Sequence, residues 1–508
     1  MTRIGTVAFV LLSVLTASSQ GPASNGLSAV GCGTAYGTLF NMESRTRAYP
    51  QKDPSVDFLP NGVRPGVDLV VGVATTERAD FGWIRPAGVS YYVSRDSTCA
   101  PEIEGSFLGG IETSRGAVAA DPARSVIFLM TYGWYIGVDP PGTTYITLTR
   151  TFRNTLLNTT ACPGGHHSLA QQRSCWRGGR VDVVQKRTDF VEIGAARLAV
   201  DERASGNGAG NVYIAYDDFD GIWLAACTNA LSACSDPINV SDGDFGTHSP
   251  HVAVRPDGTV TVTWVAIASY SPANYPVKYR ACTPTSALGF SCGAPRVVYE
   301  ETQPLTTALL GVQPFAAPTY PSHDHRVDAN GTETYVVWAR CKVGIQPELG
   351  ERCADADIVM AASSNGGQTW SAPACVACGF QDQFLPVARS DRARNIINVL
   401  YYTSENDAVF QRRVQVFLAQ IRPGPATPDA AGEPHILTTL LNDPSGDHRI
   451  GLGESAFTGF IGIAARGTGS GASRAYAHYA YNNINALFPG PPTVGLPDQN
   501  NHLTRLDY

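Results

Sequence analysis

Aligning the short apolar segments of this chain on a shared Pro-x-Val-x-Val-x-Pro-x-Gly unit brings seven residues to one equivalent position: Ser55, Ala117, Arg197, His251, Asp324, Leu385 and Asp447. His248, His323, Arg326 and His448 lie close beside them. These types suit proton transfer and anion binding. An imidazole next to a carboxylate can relay a proton or hold a ligand, and a guanidinium pairs with an oxyanion through two parallel N–H bonds. The spacing predicts that His251 and Asp324 face each other from neighbouring segments, that Arg197 takes an anionic group, and that Asp447 and His448 extend the arc. The competing reading is that these polar groups merely stay hydrated at strand ends, since structural networks also gather ionisable side chains.

Other clusters offer ligands but fall short of a metal centre, and none is expected. Asp217-Asp218-Phe219-Asp220-Gly221 has oxygen ligands at turn spacing, which makes calcium the only cofactor suggested. It lacks the later Glu of a full loop and reads as a solvated turn. His166-His167 falls between Cys162 and Cys175, short of the four ligands structural zinc takes. Cys375-Val376-Ala377-Cys378 has no second such pair. A nucleophile elbow, a phosphate-binding loop and a dinucleotide fingerprint are all missing.

What must position such residues follows from composition and repetition. The 508 residues are 43% hydrophobic and only 16% charged, with 51 Gly and 34 Pro, which excludes disorder and fits neither a coiled coil nor a helical bundle. The net charge is −7 and no basic run occurs, so nucleic acid is not expected as a partner. Arg3 followed by the apolar run Val7 to Leu15 and the small residues Ala17 and Ser19 reads as a secretory signal over residues 1–19. That run is too short to span a bilayer, so a secreted or periplasmic product without a membrane span is expected. The twelve cysteines suit an oxidising compartment. Ten form close pairs, Cys162 with Cys175, Cys227 with Cys234, Cys282 with Cys292, Cys341 with Cys353 and Cys375 with Cys378, leaving Cys32 and Cys99 as a long-range staple.

Two signatures repeat. Ala226 to Pro237 aligns without a gap on Ala362 to Pro373, and each follows an alternating apolar segment of strand periodicity. A second unit, a short strand ending in a Gly turn, begins near Pro54, Pro250 and Asp324, with looser copies near Ala117, Arg197, Leu385 and Asp447. Seven units, each supplying most of a four-stranded antiparallel sheet, predict an all-β propeller of seven blades, with six as the alternative. Its expected extent is residues 53–487, between an N-terminal segment over residues 20–52 and a C-terminal tail over residues 488–508, with a strand from one of these two segments closing the ring.

The string Ser363-Ser364-Asn365-Gly366-Gly367-Gln368-Thr369-Trp370 resembles the Asp-box of sialidase-like BNR-repeat propellers, with Asn365 in place of the Asp. In such a turn Ser363 and Asn365 bond backbone groups, Gly367 supplies a positive φ, and Trp370 packs over the hairpin. The resemblance implies fold more than catalysis. The arginine-rich sialidase signature is missing: the nearest string is Trp83-Ile84-Arg85-Pro86. The sequence therefore predicts an extracellular or periplasmic binding or scaffold propeller whose partner is a glycan or a protein, with a glycoside hydrolase of sialidase-like fold acting on extracellular glycans as the alternative.

Overall fold

The computed structural model describes residues 40–41, 51–80, 83–95, 101–107, 112–135, 143–186, 193–302 (except 219, 245 and 271–272), 309–310, 321–328, 331–343, 352–353, 355–407, 413–422, 429–430, 435–436, 461–467, 473–487 and 497–508. Short alternating segments separated by Gly-rich turns become hairpins, and the hairpins assemble as seven antiparallel blades. Their innermost strands are Gln51–Arg64, Glu112–Asp121, Ala196–Val200, His248–Val254, Ser322–Asp328, Gln383–Asp391 and Gly462–Gly467, which define blades one to seven. Each packs on the next, and the last packs on the first, so the ring is closed. Two helices occur among the described residues, Arg153–Leu157 and Leu169–Cys175, both between the third and fourth strands of blade two.

Blade seven is built from the two ends of the described chain. Its order is Gly462–Gly467, Ser473–Leu487, Pro497–Asp507 and finally Phe40–Asn41, with Phe40 opposite Leu503. Within the C-terminal segment, Pro497–Asp507 is the third strand of that blade, and it covers a sheet edge that would otherwise stay unpaired. The proposed signal segment lies outside the described residues.

Blade four shows how period two builds the core. Val260–Val265 is buried throughout because it sits between two neighbouring sheets. Val260, Val262 and Trp264 point into the core shared with blade three, beside Tyr213, Ala215 and Leu224. The intervening Thr261 and Thr263 point the other way and meet histidines of blade five. Seven apolar clusters of this kind fill the spaces between blades.

The Cys227–Cys234 and Cys282–Cys292 disulfides span outer hairpin turns, and Cys162–Cys175, Cys341–Cys353 and Cys375–Cys378 are bonded as well. Cys32 and Cys99 lie outside the described residues. The gapless repeat shares its hairpin base: Ser235 N donates to Ala226 O as Ser371 N does to Ala362 O, and the hydroxyl of each Ser accepts from the N–H of the same Ala. In the Ser363 turn, Ser363 Oγ accepts from Gly367 N at 2.8 Å and Asn365 Oδ1 from Thr369 N at 3.0 Å. Gly367 adopts φ 84°, and a Cβ there would collide with the ring of Tyr279. Trp370 packs on Tyr279, 5.2 Å between centroids, so this turn fastens blade five to blade four rather than only to its own hairpin.

Candidate functional site

Bulges set the register of the ring. In blades one, four and six the pairing of innermost and second strands skips between Lys52 and Ser55, His248 and His251, and Phe384 and Val387. Each bulge ends on a proline, Pro54, Pro250 or Pro386, whose missing N–H is tolerated where the ladder is already interrupted. Ser55, His251 and Val387 are thus equivalent. Ser55 Oγ accepts from Val118 N of the next blade at 3.2 Å, and in blade five the same bond runs from Ala388 N to Ser322 Oγ at 3.0 Å. Two residues on, Asp57 accepts from Ala120 N and Asp324 from Ser390 N, each at 2.8 Å.

This register revises the sequence alignment at two blades. Ser322, not Asp324, stands opposite His251, with 3.3 Å between Ser322 Oγ and His251 Nε2. Asp324 lies two residues further along, where Asp57 lies in blade one. The shift arises because blade five closes its first turn with Asp328 paired to Gly331, whereas blade four pairs Val254 with Val260, so the turn glycines are not equivalent. Leu385 sits on the bulge of blade six at φ 51° and is buried in the core shared with blade seven. The innermost strand of blade seven is Gly462–Gly467, and Asp447 and His448 lie outside the described residues. Prolines supply the signal that marks the true register, since Pro54, Pro250, Pro321 and Pro386 each precede the equivalent residue.

His251 and Asp324 consequently serve different neighbourhoods. His251 Nδ1 lies 3.1 Å from His323 Nδ1. Thr261 donates its hydroxyl proton to Ala253 O, so its oxygen accepts from Nε2–H of both His323 and His325, at 2.8 and 2.7 Å. His325 Nδ1 is then the acceptor for Thr334, at 3.0 Å. Burial, then the charge of Asp324 opposing it, leaves His323 with a pKa of about 3. Burial, joined by His323, Arg197 and Arg389, holds His251 well below its ordinary value, and burial with His323, Arg255 and Arg392 does the same for His325. Three neutral imidazoles therefore cement blade four to blade five. His248 bonds Ser249 Oγ at 3.0 Å, and burial lowers its pKa to about 4. Arg326 pairs with Glu333 at 2.6 Å.

Asp324 belongs to the central channel. Its carboxylate accepts from His325 N and Ser390 N, and Arg389 Nε approaches to 3.9 Å. A cavity of about 610 Å³ occupies the end of the channel where the innermost strands finish. Pro60, Pro122, Ala199, Ala465 and Gly467 give it neutral walls, and Asp201, Glu202, Asp324 and Arg203, Arg255, Arg389, Arg392, Arg466 give it charge. Two arginines cross it. Arg466 of blade seven bonds Asp57 of blade one at 2.8 and 2.9 Å and Glu202, just beyond the blade-three strand, at 2.7 Å. Arg392 of blade six reaches Val254 O of blade four at 3.0 Å. Arg203 clasps Asp201 at 2.7 Å, and Arg255 bonds Tyr279 OH and Thr334. Arg389, Arg392 and Arg466 escaped the sequence alignment because they lie past the aligned position, in units whose repeat is loose.

The remaining clusters are structural in their bonding. Asp217 accepts from Ala195 N and Ser249 N and carries a pKa pushed up to about 6 by burial. Asp218 accepts from Asp220 N and Trp223 Nε1. His167 lies 2.7 Å from both Tyr91 OH and Pro163 O, beside the Cys162–Cys175 disulfide.

No protein-family model matches the sequence, and no curated protein matches it. Among solved structures the chain is similar to a protein of unknown function from Dyadobacter fermentans, with TM-score 0.45 and 12% identity over 93% of this chain and 98% of that one. It is also similar to the leech intramolecular trans-sialidase, with TM-score 0.40 and 10% identity over 94% and 70%. A third is the intramolecular trans-sialidase of Ruminococcus gnavus, with TM-score 0.36 and 10% identity over 92% and 96%. The neighbours thus include sialidase propellers at low sequence identity, and the fold assignment stands on the seven sheets themselves.

Proposed function

We propose that this chain is an extracellular binding propeller that holds a glycan in its central channel. One observation carries the choice of binding over hydrolysis: every carboxylate described at the cavity is already committed. Asp57 and Glu202 hold Arg466, Asp201 holds Arg203, and Asp324 takes two backbone N–H groups. Glycoside hydrolysis needs one carboxyl kept protonated as an acid and a second free to act as base or nucleophile. The cavity volume falls within the roughly 300–1,000 Å³ range of small-molecule sites. Its charged lining suits a ligand rich in hydroxyl or acidic groups, because an apolar one would strip water from those charges without replacing their bonds. The five disulfides accord with an extracellular setting. Screening the protein on a glycan array, together with a release assay on the bound glycans, tests the reading. Retention without release is expected. Turnover of any bound glycan would replace binding with hydrolysis.

A further inference from the structure

The cavity is not evenly charged. On one side Arg466 and Arg203 are neutralised by carboxylates at 2.7 to 2.9 Å. On the blade-six side, among the described residues, Arg389 pairs with Asp324 at 3.9 Å, a carboxylate already accepting from two backbone N–H groups. Arg392 bonds a carbonyl, Val254 O, which offers a dipole and no charge. Arg389 keeps 31% of its side chain exposed, so its guanidinium still has donors to give. The two arginines flank the end of strand Gln383–Asp391 and both line the cavity. Arg389 also disfavours protonation of His251, after burial, His323 and Arg197, and Arg392 that of His325, after burial, His323 and Arg255.

We infer that Arg389 and Arg392 form an oxyanion site, and that the ligand of this propeller is an acidic glycan whose carboxylate or sulfate group sits between them. This deepens the glycan-binding reading and rests on it. An oxyanion would give the two arginines a closer counter-charge than Asp324, 3.9 Å from Arg389, or Asp391, which accepts from Ala393 N and Arg394 N, and would accept the charge-assisted, two-pronged bonds a guanidinium offers. The neutral walls would take the sugar rings. Arg466 would not take part, because Asp57 and Glu202 occupy it.

Titration calorimetry with tetragalacturonate, a heparin-derived tetrasaccharide and neutral maltotetraose tests the site, and the two acidic probes separate carboxylate from sulfate as the source. At least one acidic probe should bind about tenfold or more tightly than the neutral one. That preference should shrink as NaCl rises from about 0.05 to 0.5 M. Arg389→Gln and Arg392→Gln should each weaken acidic binding about tenfold or more, while Arg180→Gln, on an exposed outer strand, should leave it unchanged. Should a glutamine variant fail to fold, the salt dependence of the wild-type protein still decides. Equal binding of acidic and neutral probes would overturn the oxyanion site and leave the glycan reading standing. Binding of inorganic sulfate that requires Arg389, with no affinity for any oligosaccharide, would do the reverse. No binding of sulfate or of any probe would overturn both.

Discussion

Replacing Arg466 with Met should be among the most damaging single changes in the channel. The guanidinium is nearly buried, with 12% of the side chain exposed, and Asp57 behind it is 4% exposed. Burial alone would lower the pKa of Arg466, yet Asp57 and Glu202 raise it above its ordinary value, so the charge is held firmly. Met keeps most of the volume and removes the charge, leaving Asp57 with only the N–H groups of Phe58 and Ala120. Breaking a buried pair in this way costs about 3–5 kcal/mol, mostly because a carboxylate is stranded away from water. Glu202 is different: 34% of its side chain is exposed, so solvent screens the contact and Glu202→Gln should cost about 1 kcal/mol or less. Urea unfolding followed by Trp fluorescence compares the two. Equal costs for the two variants, or a loss under about 1 kcal/mol for Arg466→Met, would refute the claim that the Asp57 arm carries the stability.

Thr261→Val should remove the acceptor shared by His323 and His325 and cost about 1–3 kcal/mol per stranded donor; urea titration reads the loss, and an unchanged midpoint would mean the tautomers are reversed. Unfolded imidazoles take up protons near pH 6.5, whereas folded His323 does so only near pH 3. The contribution of the neutral histidines is therefore present above pH 6.5 and lost as the pH falls through that window. The urea midpoint should drop between about pH 7.5 and 4.5 and drop less in His325→Gln, while equal drops would sink the assignment. Replacing Cys227 and Cys234, or Cys282 and Cys292, with serine pairs should each lower stability by about 2–3 kcal/mol; non-reducing peptide mapping that finds free thiols at these positions would contradict the bonded hairpins.

Architecture was legible in this sequence because it rests on local periodicity. Val260-Thr261-Val262-Thr263-Trp264 announces a strand by its alternation, and the gapless match of the Ala226 and Ala362 repeats announces equivalent hairpins. Register around the ring was legible only in part. Asp257-Gly258 and Asn330-Gly331 look alike as turn signals, but they close hairpins of different length, and a glycine reports the turn rather than the strand before it. The prolines at 54, 250 and 386 report the strand, because their missing N–H fits the interrupted ladder, and Pro321 stands just before the equivalent residue of an unbroken one. The cavity itself was illegible. It depends on which of several arginines finds a carboxylate, and partners such as Asp57 and Arg466 come from opposite ends of the chain.

The seventh blade imposes an order on synthesis. Blades one to six draw their main strands from neighbouring stretches of chain and can pair as those stretches leave the ribosome. The seventh cannot be completed this way, since its outer strand Phe40–Asn41 is the first described segment made and the strand it pairs with, Pro497–Asp507, the last. Until the strand Gly462–Gly467 emerges, a nascent chain is an open arc whose terminal sheets expose apolar faces, and Asp57 waits unmatched for Arg466. Closure then joins segments separated by nearly the whole sequence. Its entropic cost grows only slowly with that distance, by about 0.6 kcal/mol per doubling of loop length, so delay rather than instability is the hazard. A chain secreted through a membrane would face that interval outside the cytoplasm, where shielding of the open arc falls to whatever folding helpers that compartment provides.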